Sequence, residues 1–349
     1  MIEFNQNPPL LHDYTQLLNQ SRDKIDVKRL VNNDHVPTEI MEECQLPLID
    51  LSGLWSENEE DRLSCGLEIC KASAEWGFFQ IVNHGINLEL LRKMRKEQVK
   101  LFKASFEQKA APGLLNNSYR WGNQTATCPK QLSWCEAFHV PLTKISDDSC
   151  YGDFNSLREV MQEYAGSMQE LAKSIAKVLV TNMGVQRGAW EEKCDASTCF
   201  MRLNRYPPCP VSPEVFGLVP HTDSDFLTIL HQDEQVGGLQ LMKDSKWVAV
   251  KPNPDALVVN IGDLFQAWSN DVYKSVEHKV MVNREVERHS IAYFLCPSYE
   301  SFIGSCKEES SIYRSFTFGE YRSQIQQDVK TFGHKVGLPR FLVSTGGDA

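Results

Sequence analysis

The feature that most constrains the fold of this chain is a change in its hydrophobic period near residue 199. From there on, apolar and polar residues alternate in seven short segments, at 200–206, 226–231, 238–242, 247–250, 256–261, 277–283 and 289–295. Turn-forming sequences rich in glycine, proline and asparagine separate these segments. Seven closely spaced strands in about 100 residues predict a β-sandwich or barrel, of which the jelly roll is one form.

The rest of the chain has a mainly helical pattern. The predicted helices cover 61–76, 90–108, 151–183 and part of 315–342. Ser56 and Glu59 have the spacing of a capping box before the first of them. Two short apolar runs, at 47–51 and 78–82, predict buried strands. The polar segment 1–43 is expected to add a helix and a lead-in strand over the main body.

Composition and charge exclude several classes of function. The 349 residues include 36 Lys and Arg against 46 Asp and Glu, and the net charge of −10 argues against non-specific nucleic-acid binding. No apolar run is long enough to span a bilayer, and the first residues lack the pattern of a signal peptide. We therefore expect a cytoplasmic protein, with the nucleus as the alternative compartment, and neither nucleic acid nor membrane as a partner.

The eleven cysteines are interpreted as reduced, mostly buried thiols. Their number is odd, and a chain of this length does not need disulfides to fold. Cys65 with Cys70, and Cys194 with Cys199, have four residues between them, at the wide edge of zinc-ligand spacing. The two pairs fall in unlike segments, so we do not expect them to share a zinc ion.

A candidate metal site begins with His221 and Asp223, which share one face of an extended strand. With His278 from a later strand they would form the two-histidine, one-carboxylate triad that binds ferrous iron and leaves coordination positions open. The His-x-Asp pattern alone is weak evidence, because nine histidines produce about half a match by chance. His231 and Asp233 form a second match, at a glycine turn where we expect solvent-facing side chains.

A candidate carboxylate site follows on a later strand. Arg288 and Ser290 share one strand face. An arginine inside a small barrel is costly unless it meets an anion, and a guanidinium beside a hydroxyl suits a carboxylate. The alternative is a structural arginine–aspartate pair with a core serine.

These residues and their neighbours resemble the plant 2-oxoglutarate-dependent dioxygenases. The shared motifs are 48–51 (LIDL), 76–85 (WGFFQIVNHG), 204–210 (NRYPPCP), 221–223 (HTD), 237–240 (GGLQ), 260–263 (NIGD), His278 and 288–290 (RHS). They occur in the family's order, which favours His221 and Asp223 over the second His-x-Asp pair.

The resemblance implies a mainly β fold with flanking helices, in which a double-stranded β-helix (jelly roll) lies between a helical N-terminal region and C-terminal helices. The implied catalytic ligands of Fe(II) are His221, Asp223 and His278. The residues implied to bind the co-substrate 2-oxoglutarate are Tyr206, Asn204, Arg288 and Ser290. Dioxygen would be the oxidant and ascorbate the reductant, and the reaction would hydroxylate a C–H bond while releasing succinate and carbon dioxide.

Three stretches, 120–127, 131–139 and 264–270, further resemble gibberellin oxidases. The first two resemble in particular the gibberellin 2-oxidases that act on twenty-carbon precursors. Such a substrate is a rigid apolar acid, which needs apolar walls and a cation. Two criteria select the candidate substrate contacts. Arg202 and Phe294 share strand parity with the cofactor residues. The N-terminal region, which could cover the barrel mouth, supplies Tyr119, Arg120, Trp121 and Phe138. The alternative is that Phe138 and Phe294 are core residues and Arg120 a surface charge; His139 is expected to be structural.

Three alternatives remain open at this point. The first is a sibling enzyme, such as a gibberellin 20-oxidase or a flavonoid or alkaloid oxygenase; the others are a non-catalytic jelly roll that binds a small acid, and a zinc hydrolase. The predicted division is an N-terminal region at 1–150, a linking helix at 151–198, the jelly roll at 199–300 and a helical tail at 301–349. We expect a small-molecule substrate and a monomer or weak homo-oligomer.

Overall fold

The computed structural model describes residues 7–20, 42–123, 126–128, 131–185, 194, 197–210, 215–306 and 311–343. The strands are β1 Glu43–Cys44, β2 Leu48–Asp50, β3 Phe78–Val82, β4 Tyr119–Trp121, β5 Glu136–Pro141, β6 Phe200–Tyr206, β7 Phe216–His221, β8 Leu227–His231, β9 Leu239–Lys243, β10 Lys246–Val250, β11 Leu257–Ile261, β12 His278–Met281, β13 Arg288–Leu295, β14 Phe302–Ile303 and β15 Phe316–Thr317. The α-helices are α1 Leu10–Gln20, α2 Glu59–Glu75, α3 Leu88–Lys103, α4 Phe106–Lys109, α5 Asn155–Asn182, α6 Asp263–Trp268 and α7 Phe318–Phe332.

Two sheets with interleaved strand order form the centre of the molecule. The larger sheet has the order β2-β3-β11-β8-β13-β6-β5-β4, and the smaller one has the order β1-β10-β9-β12-β7. Most neighbouring strands are distant in sequence, as is typical of a double-stranded β-helix. The predicted fold class, a jelly-roll core with flanking helices, is therefore confirmed.

Side-chain alternation on β6 and β13 separates the hydrophobic core from a cavity. Met201 and Leu203 of β6, with Ile291 and Tyr293 of β13, are buried in the main core. Helix α5 packs against β8 and β13 and against α2 and α3, so it covers this side of the larger sheet. The alternate residues of β6 and β13 line a cavity on the other face.

All seven strands predicted between residues 200 and 295 exist, but the sequence analysis missed β4, β5, β7, β14 and β15. Strand β7 contains Gly217 and Pro220, which obscure the alternating pattern. The proline is tolerated because β7 lies at an edge of the smaller sheet. Strands β4 and β5 extend the larger sheet, with β5 paired antiparallel to β6 over its whole length.

Two helix starts differ from the prediction. The predicted helix at 90–108 is two helices, because Ser105 forms a capping box with Gln108 and starts α4 anew. The capping box predicted at Ser56 is wrong. Asn58 caps α2 by accepting a hydrogen bond from the Glu60 amide, and the Ser56 hydroxyl bonds to Asp61 instead.

Further predictions can be compared with the described part of the chain. The cysteines all lie within it and none is in a disulfide, and seven of the eleven are buried. None of the helices described is long and apolar enough to cross a membrane. The helix and strand expected within 1–43 correspond to α1 and β1, while 21–41 lies outside the described residues. The four-part division of the chain stays a prediction.

Candidate active site

A cavity of about 400 Å³ lies against the open face of the larger sheet, and it gathers most of the predicted site residues. The predicted residues that line it are His221, Asp223, His278, Asn204, Tyr206, Arg288, Ser290, Arg202 and Phe294. The fold therefore brings the metal triad, the carboxylate clamp and two of the six substrate candidates to one place.

The three predicted metal ligands converge because β7 and β12 are hydrogen-bonded neighbours, and Asp223 follows just after β7. His221 ends β7 and His278 begins β12, and the two residues are directly paired across these antiparallel strands. Their Nε2 atoms lie 3.6 and 3.8 Å from Oδ1 of Asp223. One ligand atom from each residue falls within 4.8 Å of the other two, which is the spacing that a single bound cation requires.

Backbone carbonyls orient both histidines toward this point. Nδ1 of His221 lies 2.8 Å from the Val219 carbonyl oxygen, and Nδ1 of His278 lies 3.0 Å from that of Val276. A carbonyl oxygen can only accept, so Nδ1 carries the proton in both rings and Nε2 keeps its lone pair for a metal.

One oxygen of Asp223 is held by neighbours and the other faces the histidines. Oδ2 accepts hydrogen bonds from the Asn260 amide at 2.8 Å and the Thr228 hydroxyl at 2.7 Å. The Thr228 oxygen also lies 2.8 Å from Oδ2 of Asp225. The Thr228 hydroxyl therefore lies between the two carboxyl groups and can donate its one proton to either of them.

The electrostatics agree with this arrangement. Burial, with the adjacent Asp223 carboxylate, raises the pKa of Asp225 well above its usual range. Burial alone would raise the pKa of Asp223, but His278, His221 and its hydrogen bonds outweigh that and lower it. Burial, helped by His278 and opposed by Asp223, lowers the pKa of His221 to about 4. The neutral imidazole and charged carboxylate are the forms that bind Fe(II).

Arg288 is buried without any internal partner. It is 2% exposed, and its three guanidinium nitrogens have no hydrogen-bond partner among the described residues. Its guanidinium carbon lies 5.2 Å from the centre of the Tyr206 ring. The alternative of a structural arginine–aspartate pair is thus contradicted. A buried, unpaired cation in a cavity indicates an anionic ligand.

A chain of hydrogen bonds lies beside Arg288 and links Ser290, Asn204 and Arg202. The Asn204 amide donates to the Ser290 hydroxyl at 3.3 Å, and Arg202 Nε donates to Asn204 Oδ1 at 2.8 Å. Gln98 of α3 fixes both strands from behind by donating to the backbone carbonyls of Asn204 and Ser290. A carboxylate bound by Arg288 would meet a preorganised polar surface.

The four N-terminal substrate candidates lie elsewhere, which corrects their predicted place in the cavity. Phe138 and Tyr119 are buried in the core, and the Tyr119 hydroxyl bonds to Glu136. Trp121 packs edge-on against Phe106. Arg120 is exposed and donates to nearby backbone carbonyls. The physical reason is that their segments form β4 and β5 and extend the sheet, so they do not cover the barrel mouth.

The second His-x-Asp pair also departs from its prediction. His231 is buried and stacks with Tyr164, and Asp233 accepts hydrogen bonds from backbone amides that include the one of His289. His231 therefore does not face solvent, and Asp233 is half-buried. They lie outside the cavity, as expected for residues that are not metal ligands.

The sequence analysis missed cavity residues on β5, on α7 and in the segment after α7. His139 of β5, expected to be structural, lines the cavity and stacks on Phe200 at 4.0 Å. Helix α7 contributes Phe318, Arg322 and Ile325, whose helical spacing could have identified one common face. Lys335 follows α7, and its ammonium lies 2.5 Å from Asp263 and donates to the Thr222 carbonyl.

Comparisons with known proteins agree with this geometry. The profile of the 2OG-Fe(II) oxygenase superfamily matches residues 197–297, and that of the non-haem dioxygenase in morphine synthesis N-terminal matches residues 46–163. Gibberellin 2-beta-dioxygenase 6 of Oryza sativa subsp. japonica is 57% identical over 308 residues, covering 86% of each chain. Gibberellin 2-beta-dioxygenase 8 of Arabidopsis thaliana is 52% identical over 338 residues, covering 96% of this chain and 98% of that one.

The solved structure of JOX2 in complex with 2OG, Fe and JA has the same fold. It superposes with a TM-score of 0.72 at 31% identity, covering 91% of this chain and 97% of JOX2.

Proposed function

This chain belongs to the 2OG-Fe(II) oxygenase superfamily and is a 2-oxoglutarate-dependent dioxygenase, and from that premise we propose that it is a gibberellin 2-oxidase. It hydroxylates carbon 2 of gibberellins on the β face, with twenty-carbon gibberellins as the preferred substrates. This reaction inactivates the hormone and its precursors. Ascorbate as the reductant and a cytoplasmic location belong to the same proposal.

Each cofactor group has residues that fit it. His221, Asp223 and His278 hold Fe(II) through the two Nε2 atoms and Oδ1 that face one another. Arg288 and Ser290 bind the distal carboxylate of 2-oxoglutarate, with Tyr206 and Asn204 beside it. The orphaned guanidinium of Arg288 is the observation that carries this assignment.

When bound, Fe(II) with 2-oxoglutarate and dioxygen supplies the oxidation that places one oxygen atom in a substrate C–H bond and yields succinate and carbon dioxide. The protein orients the reactants and excludes water. Phe200 and Phe294, stacked at 4.3 Å, with Phe318 of α7, give the cavity apolar walls for a diterpenoid body.

Similarity to gibberellin 2-beta-dioxygenases over most of the chain supports the substrate and the position of attack. A gibberellin 20-oxidase or another plant dioxygenase would need the same metal and 2-oxoglutarate residues, so only the product separates these functions. The intact clamp argues against a zinc hydrolase, which has no use for a 2-oxoglutarate site.

The deciding experiment supplies the purified protein with Fe(II), 2-oxoglutarate, ascorbate and air, and offers twenty- and nineteen-carbon gibberellins separately. Products are identified by mass spectrometry and NMR. We expect succinate together with a hydroxyl on carbon 2. Oxidation at carbon 20 would assign a 20-oxidase, succinate without gibberellin oxidation would assign another substrate, and no succinate under any condition would favour a binding protein.

A matched pair of variants tests the clamp. Arg288→Gln is expected to raise the KM for 2-oxoglutarate at least tenfold, since about 1.5–3 kcal/mol is typical of a hydrogen bond to a charged group. Arg314→Gln removes an arginine that is exposed and outside the cavity, and should leave that KM unchanged.

A further inference from the structure

Arg288 is proposed to bind 2-oxoglutarate, but two other arginines in the cavity have no assigned anionic ligand. Arg202 comes from β6 and Arg322 from α7, and both line the cavity. No carboxylate of the described residues forms an ion pair with either. Arg202 donates to the neutral amide of Asn204, and Arg322 donates to the Tyr299 hydroxyl at 3.2 Å. Each guanidinium is positioned by a neutral group.

The other charges in the cavity are already compensated. Asp223 faces the metal position, and Asp225 shares the Thr228 hydroxyl with it. Lys335 is neutralised by Asp263 at 2.5 Å. Arg202 and Arg322 therefore line the cavity without a carboxylate partner among the described residues. A ligand with two carboxylates would supply each guanidinium with a counter-charge.

The two arginines serve one ligand region. His139 stacks on Phe200, and burial lowers its pKa to about 4, with Arg202, Arg322 and Arg120 acting in the same direction. His139 is paired with Arg202 across β5 and β6, and Arg322 lines the same cavity from α7, so both arginines border one aromatic wall. That wall is the stack of His139, Phe200 and Phe294, with centroid distances of 4.0 and 4.3 Å. A neutral His139 leaves the arginines as the cations of this region.

Helix α7 carries Arg322 within an apolar face. Phe318 precedes it by one turn and Ile325 follows it by one, and both line the cavity. The guanidinium carbon lies 5.7 Å from the ring centre of Tyr299 and 5.9 Å from that of Phe318, which limits its orientations. The region thus combines two fixed cations with a rigid apolar surface.

We propose that Arg202 and Arg322 each bind one carboxylate of the same substrate, so that the enzyme selects dicarboxylic gibberellins. This inference rests on the proposed function and names how its site chooses among gibberellins. Twenty-carbon gibberellins carry two free carboxylates on a rigid ring system. In nineteen-carbon gibberellins one of these is closed into a neutral lactone, which leaves one arginine desolvated without an anion.

The first test compares kcat/KM for a twenty-carbon dicarboxylate and a nineteen-carbon lactone. We expect Arg322→Gln and Arg202→Gln each to lower kcat/KM for the dicarboxylate by about ten- to a hundredfold. At least one of the two variants should narrow the preference over the lactone by a similar factor. Lys330→Gln removes a positive charge from an exposed position of α7 outside the cavity and should change neither value. An unchanged preference in both arginine variants overturns the proposal.

The second test determines which arginine binds which carboxylate. It follows the logic of a double-mutant cycle, in which one change is made in the protein and the other in the substrate. The two monomethyl esters of the dicarboxylate are titrated calorimetrically into Zn(II)-loaded protein with 2-oxoglutarate, where no turnover occurs. Arg322→Gln should weaken the free diacid and one ester, but not the other ester. Arg202→Gln should give the complementary result. Coupling of both arginines to one carboxylate, or of either to none, contradicts two-point binding.

A third test uses only the unaltered enzyme, so it does not depend on whether the variants fold. Each monomethyl ester should bind it at least about tenfold more weakly than the diacid. Equal binding of diacid and esters overturns the inference while leaving the proposed function intact, provided that the enzyme still hydroxylates carbon 2. Absence of any gibberellin oxidation would instead overturn the proposed function.

Discussion

Asp223 depends on two neutral neighbours, Asn260 and Thr228, for its orientation. The Asn260 amide donates to Oδ2 at 2.8 Å and leaves Oδ1 directed at the histidines. Asn260→Ala should therefore lower Mn(II) affinity by about tenfold or more, because an unrestrained carboxylate is a poorer ligand. Binding is measured by electron paramagnetic resonance of free Mn(II). Asn182→Ala, which removes an amide far from the cavity, is the control, and equal affinities in all three proteins would contradict the role of Asn260.

His231 gives the folded protein a defined sensitivity to acid. Burial lowers its pKa to about 3, Arg95 and His84 act in the same direction, and Asp233 opposes them. An unfolded histidine has a pKa of about 6.5. Between these values the unfolded chain binds a proton that the folded chain does not, so stability falls as pH falls.

His231→Gln should remove that contribution. Between pH 7.5 and pH 5, the free energy of unfolding should fall by about 2 kcal/mol less in the variant than in the unaltered protein. Urea unfolding at both pH values measures this difference. His334→Gln, at an exposed histidine, should keep the original pH dependence. Parallel pH profiles for His231→Gln and the unaltered protein would rule out the assignment.

At the scale of elements, the sequence predicted the strands whose pattern is local and missed those whose place depends on distant partners. Strand β13 ends in a run of five apolar residues, so it was predicted, and its candidate cofactor residues Arg288 and Ser290 were found. Strand β7 was missed because Gly217 and Pro220 interrupt the pattern, although it ends in His221. Strands β4 and β5 acquire their identity by pairing beside β6, which residue spacing within the segment does not reveal. Arg322 was missed for a related reason, because only tertiary packing places α7 at the cavity.

The attachment of β4 and β5 to the barrel depends on one buried carboxylate. Glu136 of β5 is fully buried and accepts from Lys109 Nζ and Arg205 Nη1, each at 2.6 Å. Burial lowers the pKa of Lys109 and Glu136 opposes that effect. The Tyr119 hydroxyl also bonds to Glu136, so the network joins α4, β4, β5 and β6.

Glu136→Gln should lower the free energy of unfolding by about 3–5 kcal/mol, because it leaves the Lys109 ammonium buried without its counter-charge. Glu287→Gln is the matched control. Glu287 pairs with the same Arg205 at 2.8 Å but is 35% exposed, so its loss should cost about 1 kcal/mol or less. Chemical denaturation of the two variants measures the difference. Similar losses would mean that the buried network does not anchor these strands.

At the scale of the whole molecule, the cavity is a junction between parts that are distant in sequence. One hydrophobic cluster includes Ile69, Leu171, Leu203 and Phe341, which come from all four predicted divisions of the chain. The cavity itself takes residues from β5, from both sheets and from α7. Filling the site should therefore stabilise the fold as a unit and should not tighten one part alone.

Ligand-linked stabilisation tests this unity directly. A ligand at a hundredfold excess over its Kd adds about 2.7 kcal/mol, which corresponds to a rise in Tm of a few degrees for a chain of this size. Mn(II) should raise Tm in one cooperative transition, and 2-oxoglutarate should raise it further. His221→Ala should abolish the Mn(II) increment, because it removes a ligand without disturbing the core. Arg288→Gln should keep the Mn(II) increment and lose most of the 2-oxoglutarate one, since the clamp and the triad are separate charges in one cavity. A ligand-dependent shift confined to one of two resolved transitions would show that the parts of the chain unfold independently.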